Sequence, residues 1–246
     1  MVFEAWRMHV EAVLFDLFDT LLLLEGSEVY YQPSLMKLHE FLIKSGVNAS
    51  FEDFSRVYFE VRDRFYSESR ESLEEPHFRV RLLQTLHSLG YDFDVSDPIV
   101  IGATTTFGNE FMRYVTIDKD TISVLQKLRG EYKLGLVSNA FMPETVWALL
   151  EKFGLKQFFG VILISGEINR RKPSPEIFEK ALKALGVKAS EAVFVGDMLD
   201  LDIVGPKNVG MKTILIERRR TEGIDEIKPD KVIKTLNDLL GVLANC

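Results

Sequence analysis

From about residue 118 onward, short apolar runs alternate with stretches in which apolar residues recur at helical spacing. The runs are YKLGLVS (132–138), GVILIS (160–165), AVFVG (192–196) and KTILI (212–216). Such continuously apolar runs are typical of strands that are covered on both faces. One predicted helix runs from Pro143 to Gly154 and another from Pro175 to Gly186. The alternation predicts an α/β fold with a doubly wound, largely parallel, Rossmann-like sheet.

The segment from residue 24 to residue 115 has a different pattern, and it follows an isolated strand of the core type, EAVLFDL at 11–17. Helices are predicted in it at 33–45, at 76–90, at 96–114, and from a capping box formed by Ser50 and Asp53. We therefore predict a core domain of residues 1–23 and 116–246, interrupted by a helical-bundle cap domain of residues 24–115. A bundle over the carboxyl end of the sheet would form a lid that excludes water from a reaction.

Composition and charge restrict the class of protein. The chain has 246 residues, of which 46% are hydrophobic and 27% charged, as expected for a folded globular protein. Its formal net charge of −7 argues against a partner bound through a nucleic-acid phosphate backbone. The basic run at 218–220 follows an apolar strand and is predicted to be a solvated loop.

The single cysteine and the N-terminal segment indicate the compartment. Cys246 cannot form an intrachain disulfide, since the chain has no second cysteine. Glu4, Arg7 and Glu11 interrupt the N-terminal segment, so it lacks the apolar centre of a signal peptide. No run reaches the ~20 apolar residues of a membrane span. A cytoplasmic protein without a membrane partner is therefore expected.

Polar residues lie at the carboxyl ends of the predicted strands, where open α/β sheets bind ligands. They are Asp16 and Thr20 after the strand at 11–17, Ser138 and Asn139 at the end of 132–138, Lys172 in the loop after 160–165, and Asp197, Asp200 and Asp202 after 192–196. Carboxylates that converge on one point cannot all stay ionised without a cation. Oxygen ligands and the lack of a Cys/His cluster favour Mg²⁺ over zinc. A hydroxyl, backbone amides and a lysine beside them would form a phosphate site.

At these residues the sequence resembles the haloacid dehalogenase superfamily. The similar motifs are FDLFDTL (15–21), LVSNA (136–140), RKPSPEIF (171–178) and VGDMLDLDIVGPKNVGM (195–211). They occur in the family's order, and the helical insert between the first two is similar to the C1 cap of subfamily I. The resemblance covers about residues 11–243, and four ordered motifs are far more specific than any one of them. It implies a hydrolase with a Rossmann-like core and a cap.

The resemblance also implies roles for the residues of the first three motifs. Asp16 would be the nucleophile that forms a covalent aspartyl intermediate. Thr20 would hydrogen-bond within the catalytic loop, and Ser138 and Asn139 would bind phosphate oxygens. Lys172 would neutralise the charges of the nucleophile and the phosphate. By the same resemblance the substrate would be a small molecule.

The resemblance assigns the metal to carboxylates and to one backbone carbonyl. The Mg²⁺ ligands would be Asp16, Asp197, Asp202 and the carbonyl of Phe18, whereas Asp200 could equally be a solvated loop residue. In the phosphatase branch of the family, the residue at the place of Phe18 is an aspartate that acts as general acid and then base. Here the aspartate stands one place later, at position 19. Proton transfer is commonly worth about 10²–10⁴-fold in rate, so weak hydrolysis of unactivated phosphate esters is predicted.

Several activities are compatible with these motifs. A metal-independent 2-haloacid dehalogenase-like hydrolase would carry an aromatic residue at position 18, because a halide departs without a proton. A phosphonate-cleaving relative would need a cap lysine, and the insert offers only Lys37 and Lys44. A catalytically weakened relative retained for binding is a further alternative. A binding site for a halocarboxylate anion would gain nothing from three clustered aspartates, because like charges repel. A Mg²⁺-dependent phosphatase or phosphoryl-transfer enzyme acting on a small phosphorylated metabolite is therefore favoured.

The sequence leaves the substrate contacts and the oligomeric state open. Residues of the insert that could contact substrate are Tyr30, Tyr31, Arg64, His77 and Arg79, although each is favoured as an ordinary surface or core residue. The protein is expected to be a monomer or a homodimer.

Overall fold

A parallel sheet forms the centre of the protein in the computed structural model, which describes residues 9–218 and 228–244. The strands are β1 (Ala12–Phe15), β2 (Leu22–Leu24), β3 (Val115–Ile117), β4 (Lys133–Ser138), β5 (Val161–Ile164), β6 (Ala192–Gly196), β7 (Lys212–Ile216) and β8 (Lys231–Ile233). The central sheet has the order β5-β4-β1-β6-β7-β8, and all its neighbouring strands are parallel.

Helices lie between the strands and in the segment that follows β2. They are α1 (Ser27–Lys44), α2 (Phe51–Ser72), α3 (Phe78–Ser88), α4 (Pro98–Phe111), α5 (Thr121–Leu128), α6 (Pro143–Lys152), α7 (Ser165–Ile168), α8 (Pro175–Leu185), α9 (Val204–Asn208) and α10 (Asp238–Leu243). We call α1 to α4 the helical insert. Within residues 9–218 and 228–244, no helix combines the length and the apolar character that crossing a membrane requires.

Both faces of the sheet are covered, as the continuous apolar strands predict. Val13 and Phe15 of β1 belong to a large core that also includes buried residues of α5, α6 and α10. Ala12 and Leu14 point to the opposite face and share a second core with α8. Successive residues of a strand point to opposite faces, so β1 contributes to both cores. The predicted doubly wound α/β fold is confirmed.

The insert contains the four helices that the sequence predicts, with one boundary wrong. Ser50 caps α2 as predicted, since its hydroxyl accepts a hydrogen bond from the Asp53 N–H at 3.0 Å. However, α1 begins at Ser27 and contains Pro33, whereas the sequence places the helix start at the proline. The extra turns pack aromatic rings against α4, and Tyr30 lies 5.1 Å from Phe111 between ring centroids. Tertiary packing thus extends the helix past a residue that usually begins one.

A close contact explains the glycine inside α4. A Cβ at Gly102 would lie 2.3 Å from the ring of Phe41. The ring thus packs directly against the backbone of α4. The glycine therefore lets α1 and α4 approach each other, although glycine disfavours a helix in isolation.

Two short strands join the insert to the core. β2 leads into α1 and β3 follows α4, and the two pair as an antiparallel ribbon with Leu23 opposite Thr116. Three-residue strands are too short to show an alternating pattern, so the sequence does not predict them. Both connections to the insert therefore run through one ribbon.

A second contact between insert and core lies at the connection from α2 to α3. The Phe78 N–H donates to the Phe141 carbonyl at 2.8 Å, and the Arg171 N–H donates to the Leu73 carbonyl at 3.0 Å. His77 also contacts Glu144, at 2.9 Å. The α2–α3 connection thus lies against the core loops that follow β4 and α7.

Leu38 tests the packing of the insert. The side chain of Leu38 in α1 is fully buried, whereas Met36 on the same helix is 46% exposed. Leu38→Ala should lower the free energy of unfolding by about 2–5 kcal/mol because it leaves a cavity, and Met36→Ala should change it by less than about 0.5 kcal/mol. Urea unfolding followed by circular dichroism measures both. Equal effects would contradict the packing of α1.

Candidate active site

Three adjacent strands bring the predicted polar residues to one edge of the sheet. β4, β1 and β6 are neighbours, and their carboxyl ends lie side by side. Asp16 follows β1, Ser138 ends β4 and Asp197 follows β6. The Asp16 N–H extends the sheet by donating to the Val195 carbonyl at 2.9 Å. The backbone of Asp16 is therefore fixed at the end of β1.

Lys172 lies between two carboxylates. Its Nζ donates to Asp16 Oδ1 at 2.5 Å and to Asp202 Oδ1 at 2.7 Å. Lys172 and Asp202 are each 1% exposed, and Asp16 is 7% exposed. Removal of these groups from water is costly unless they are paired and hydrogen-bonded, and here each one is. The three residues form a buried charged cluster.

The cluster shifts the pKa values of its members. Burial raises the pKa of Asp16 to about 6, with Lys172 opposing the shift and the Asp202 carboxylate adding to it. Burial also disfavours the charge on Lys172, but the two carboxylates outweigh it and raise the pKa of that lysine. Lys172 is thus held as a cation. A second cation near Asp16 would favour the ionised, nucleophilic form of the Asp16 carboxyl group.

Asn139 fixes the backbone from which Lys172 extends. Its Nδ2 donates to the Lys172 carbonyl at 3.0 Å, and its Oδ1 accepts from the Lys172 N–H at 2.8 Å. Both the nitrogen and the oxygen of the Asn139 side-chain amide are therefore hydrogen-bonded to the backbone of Lys172. This contact positions Lys172; phosphate binding by Asn139 stays a prediction.

A missing side chain makes room for Asp202. One π-helical turn, Leu199–Ile203, carries Asp202 back over the end of β6, and its Oδ2 accepts from the Met198 N–H at 3.0 Å. A Cβ at Gly196 would lie 2.4 Å from the carboxyl carbon of Asp202. Only a glycine therefore permits this approach of the carboxylate to the strand.

The acidic residues form a group that could hold a metal ion. One carboxylate oxygen from each of Asp16, Asp197 and Asp202 lies within 4.8 Å of the other two. Three ionised carboxylates and the single ammonium of Lys172 sum to a formal charge of −2. A divalent cation with oxygen ligands would balance that charge, so the residues fit such an ion.

Two hydroxyls lie near the nucleophile. Thr20 Oγ1 donates to Asp16 Oδ2 at 3.4 Å, as expected for a hydrogen bond within the catalytic loop. Ser138 is fully buried, and its Oγ has no hydrogen-bond partner among the described residues. Buried hydroxyls almost always have a partner. The Ser138 hydroxyl is therefore free to donate to an oxygen of a bound ligand.

Phe18 points its ring toward the insert. The ring packs edge-on against Phe111, with centroids 5.8 Å apart, and lines a cavity between the insert and the core. The next residue, Asp19, has a φ of 57° and accepts a hydrogen bond from the Leu24 N–H at 3.2 Å. The catalytic loop thus turns sharply after Phe18, and Asp19 faces the ribbon.

Arg218 contacts the backbone of the same loop. The sequence does not predict this contact. Its guanidinium donates to the carbonyls of Asp19 at 3.1 Å and Thr20 at 3.2 Å, and to Asp118 Oδ2 at 2.7 Å. The prediction of a solvated loop is therefore wrong at Arg218. Arg219 and Arg220 lie outside the described residues, as does Cys246. The only signal in the sequence was a basic run beginning two residues after a predicted strand.

Other candidate residues lie away from the cluster. Asp200 is exposed, in agreement with a solvated loop residue, and Lys37 and Lys44 are exposed on α1. In the insert, Tyr30 lines the cavity beside Phe18 and Tyr31 donates to or accepts from the Tyr58 hydroxyl at 2.8 Å. The side chains of three further candidates have polar partners: Arg64 contacts Gln84, and His77 and Arg79 both contact Glu144.

Comparison with known proteins identifies relatives that match almost the whole chain. A glyceraldehyde 3-phosphate phosphatase from Methanopyrus kandleri is 32% identical over 95% of this chain and 97% of its own. One from Pyrococcus furiosus is 31% identical over 96% of this chain and 93% of its own. These relatives are phosphatases by name.

Solved structures of related proteins carry both activities in their names. A 2-haloacid dehalogenase from Pseudomonas syringae pv. Tomato DC3000 superposes with a TM-score of 0.75 at 27% identity, covering 96% of this chain and 98% of the other. A phosphatase of the haloacid dehalogenase group from Thermococcus onnurineus superposes with a TM-score of 0.65 at 28% identity, covering 96% and 99%. The sequence model of the haloacid dehalogenase-like hydrolases matches residues 10–210. The chain is thus an enzyme of the haloacid dehalogenase-like hydrolase family.

Proposed function

We propose that the protein is a Mg²⁺-dependent phosphatase or phosphoryl-transfer enzyme that acts on a small phosphorylated metabolite through an aspartyl phosphate on Asp16. The observation that carries the proposal is the buried cluster of Asp16, Lys172 and Asp202, with Asp197 beside it and the unpartnered hydroxyl of Ser138 nearby. The relatives named as glyceraldehyde 3-phosphate phosphatases support phosphate chemistry on a small substrate.

Each residue of the cluster has a part in the proposed reaction. A carboxylate oxygen of Asp16 attacks phosphorus, and the bond to the leaving group breaks. Lys172 balances the negative charge of Asp16 and the transferred phosphoryl group, and the Ser138 hydroxyl donates to a phosphoryl oxygen. Asp16, Asp197, Asp202 and the Phe18 carbonyl would hold Mg²⁺, which would supply positive charge at the site. Thr20 keeps the Asp16 side chain in place.

We also propose that residues 24–115 act as a cap. The antiparallel ribbon of β2 and β3 joins both ends of the insert to the core, so a change in its twist would move α1 to α4 together over Asp16. Closure would exclude water while the phosphoryl group is transferred.

Dehalogenation is the second candidate, and two observations favour it. Phe18 is aromatic, as in that branch of the family, and the dehalogenase from Pseudomonas syringae superposes well. The group of Asp16, Asp197 and Asp202 argues against it, because a halocarboxylate anion would meet three carboxylates and, among the described residues of the cluster, the single ammonium of Lys172. The phosphonate-cleaving alternative lacks support, since Lys37 and Lys44 are exposed on α1.

Mg²⁺ binding can be tested at Gly196. In Gly196→Ala the new methyl group displaces the Asp202 carboxylate, so Mg²⁺ affinity should fall at least tenfold. Gly130→Ala is the matched control, because the nearest atom to its Cβ would be 3.7 Å away. Isothermal titration calorimetry measures both, with Asp197→Ala expected to abolish binding. Absence of Mg²⁺ binding by the wild type at millimolar concentration would revive the dehalogenase alternative.

Phe18 should control the rate through proton transfer. The wild type should hydrolyse activated esters such as 4-nitrophenyl phosphate and leave sugar phosphates nearly untouched, because Phe18 cannot protonate a poor leaving group. Phe18→Asp should raise the hydrolysis of glycerol 3-phosphate by about tenfold or more, within the range of general-acid catalysis. Phe18→Leu is the control and should give no gain. If the wild type already hydrolyses unactivated esters rapidly, another group, with Asp19 the nearest candidate, supplies the proton.

A further inference from the structure

A cavity of about 180 Å³ separates the catalytic loops from the insert. Its walls come from both parts of the protein. They comprise Phe18, Leu24, Asn139, Ala140, Phe141, Met142, Thr145 and Val146 from the core and its connections, and Tyr30, Phe107 and Phe111 from the insert. The cavity therefore lies between the loops that follow β1 and β4 on one side and helices α1 and α4 on the other.

The position of the cavity suits the part of a substrate that leaves. Phe18 is two residues beyond Asp16, and Asn139 directly follows Ser138. A phosphoryl group that contacts the Asp16 carboxylate and the Ser138 hydroxyl would have its esterified group directed past Phe18. That group would then lie beside Phe18 and Asn139, which both line the cavity.

None of the described residues that line the cavity carries a charged side chain. Its polar side chains are Tyr30, Asn139 and Thr145, and the Asn139 amide is already bonded to the Lys172 backbone. A charged or many-hydroxylated leaving group would lose its water here and gain few hydrogen bonds in return. An apolar group loses nothing by the same transfer and gains contact with rings and methyl groups.

Three basic residues at the beginning of α3 do not change this conclusion. Arg79 and His77 both contact Glu144. Arg81 lies against the ring of Phe141, 4.7 Å from its centroid, and is not part of the cavity wall. Within the described part of the chain, the cavity thus presents no cation to a second phosphate or to a carboxylate.

We propose that this cavity selects phosphate esters whose leaving group is uncharged, apolar and about the size of one six-membered ring. The proposal rests on the phosphatase function proposed above and names its substrate class. The volume is adequate, because an apolar cavity of about 150 Å³ in another protein accommodates benzene. Phe18 then serves two purposes, as the wall that contacts the leaving group and as the residue that replaces a proton donor.

The test compares two primary phosphate esters of similar size, benzyl phosphate and glycerol 3-phosphate, with the Mg²⁺-loaded enzyme. Both release an alkoxide, so the comparison reports on the cavity more than on proton transfer. We expect kcat/KM to be at least tenfold higher for benzyl phosphate, which corresponds to about 1.4 kcal/mol. Equal values, or a preference for glycerol 3-phosphate, would overturn the proposal.

Variants of Tyr30 locate the selection in this cavity. Tyr30→Phe should keep the preference for benzyl phosphate, whereas Tyr30→Arg should reduce it at least tenfold by placing a charge in the wall. If Tyr30→Arg does not fold, a second measurement tests the proposal: the affinities of the wild type for benzylphosphonate and for 2,3-dihydroxypropylphosphonate. Calorimetry should then show tighter binding of benzylphosphonate, and the opposite order would contradict the proposal.

Activated esters separate this inference from the phosphatase function. Hydrolysis of 4-nitrophenyl phosphate without a preference for benzyl phosphate would refute the inference alone. No hydrolysis of 4-nitrophenyl phosphate or acetyl phosphate, together with no binding of either phosphonate, would refute both.

Discussion

The ammonium of Lys172 lies between the carboxylates of Asp16 and Asp202, almost entirely out of contact with solvent. Removal of Lys172 would leave two uncompensated buried carboxylates, which are far more costly than exposed ones. Several local features serve this contact. Asn139 fixes the backbone of the lysine, and Gly196 leaves room for Asp202 over the end of β6. The cluster has excess negative charge even so, and that excess is the physical reason to expect a divalent cation.

Phe18 couples the chemistry of the site to its shape. A carboxylate at this position could transfer a proton but would project toward an apolar cavity beside Phe111. The phenyl ring of Phe18 transfers no proton, but it completes the apolar wall of the cavity. Phe18 in place of an aspartate therefore favours substrates whose leaving group needs little protonation or packs well against aromatic rings. Reaction rate and substrate class thus depend on the same side chain.

Much of this arrangement follows from the sequence, since continuous apolar strands predict a sheet covered on both faces and polar residues at strand ends predict where ligands bind. The ribbon of β2 and β3 is not predictable, because three-residue strands carry no periodic signal. The start of α1 depends on ring packing against α4, which outweighs the local preference of Pro33. The contacts of Arg218 join residues distant in the chain, and no local pattern marks such a pair.

The most direct measurement of the central claim is the chemical state of Asp16 during turnover. The enzyme would be incubated with Mg²⁺ and acetyl phosphate, quenched in acid and digested, and the peptide containing Asp16 analysed by mass spectrometry. We predict one added phosphoryl group on Asp16, accumulating because Phe18 provides no base for its hydrolysis, and none in Asp16→Asn. Phosphate release from acetyl phosphate with Asp16 never modified, or undiminished release by Asp16→Asn, would contradict the account.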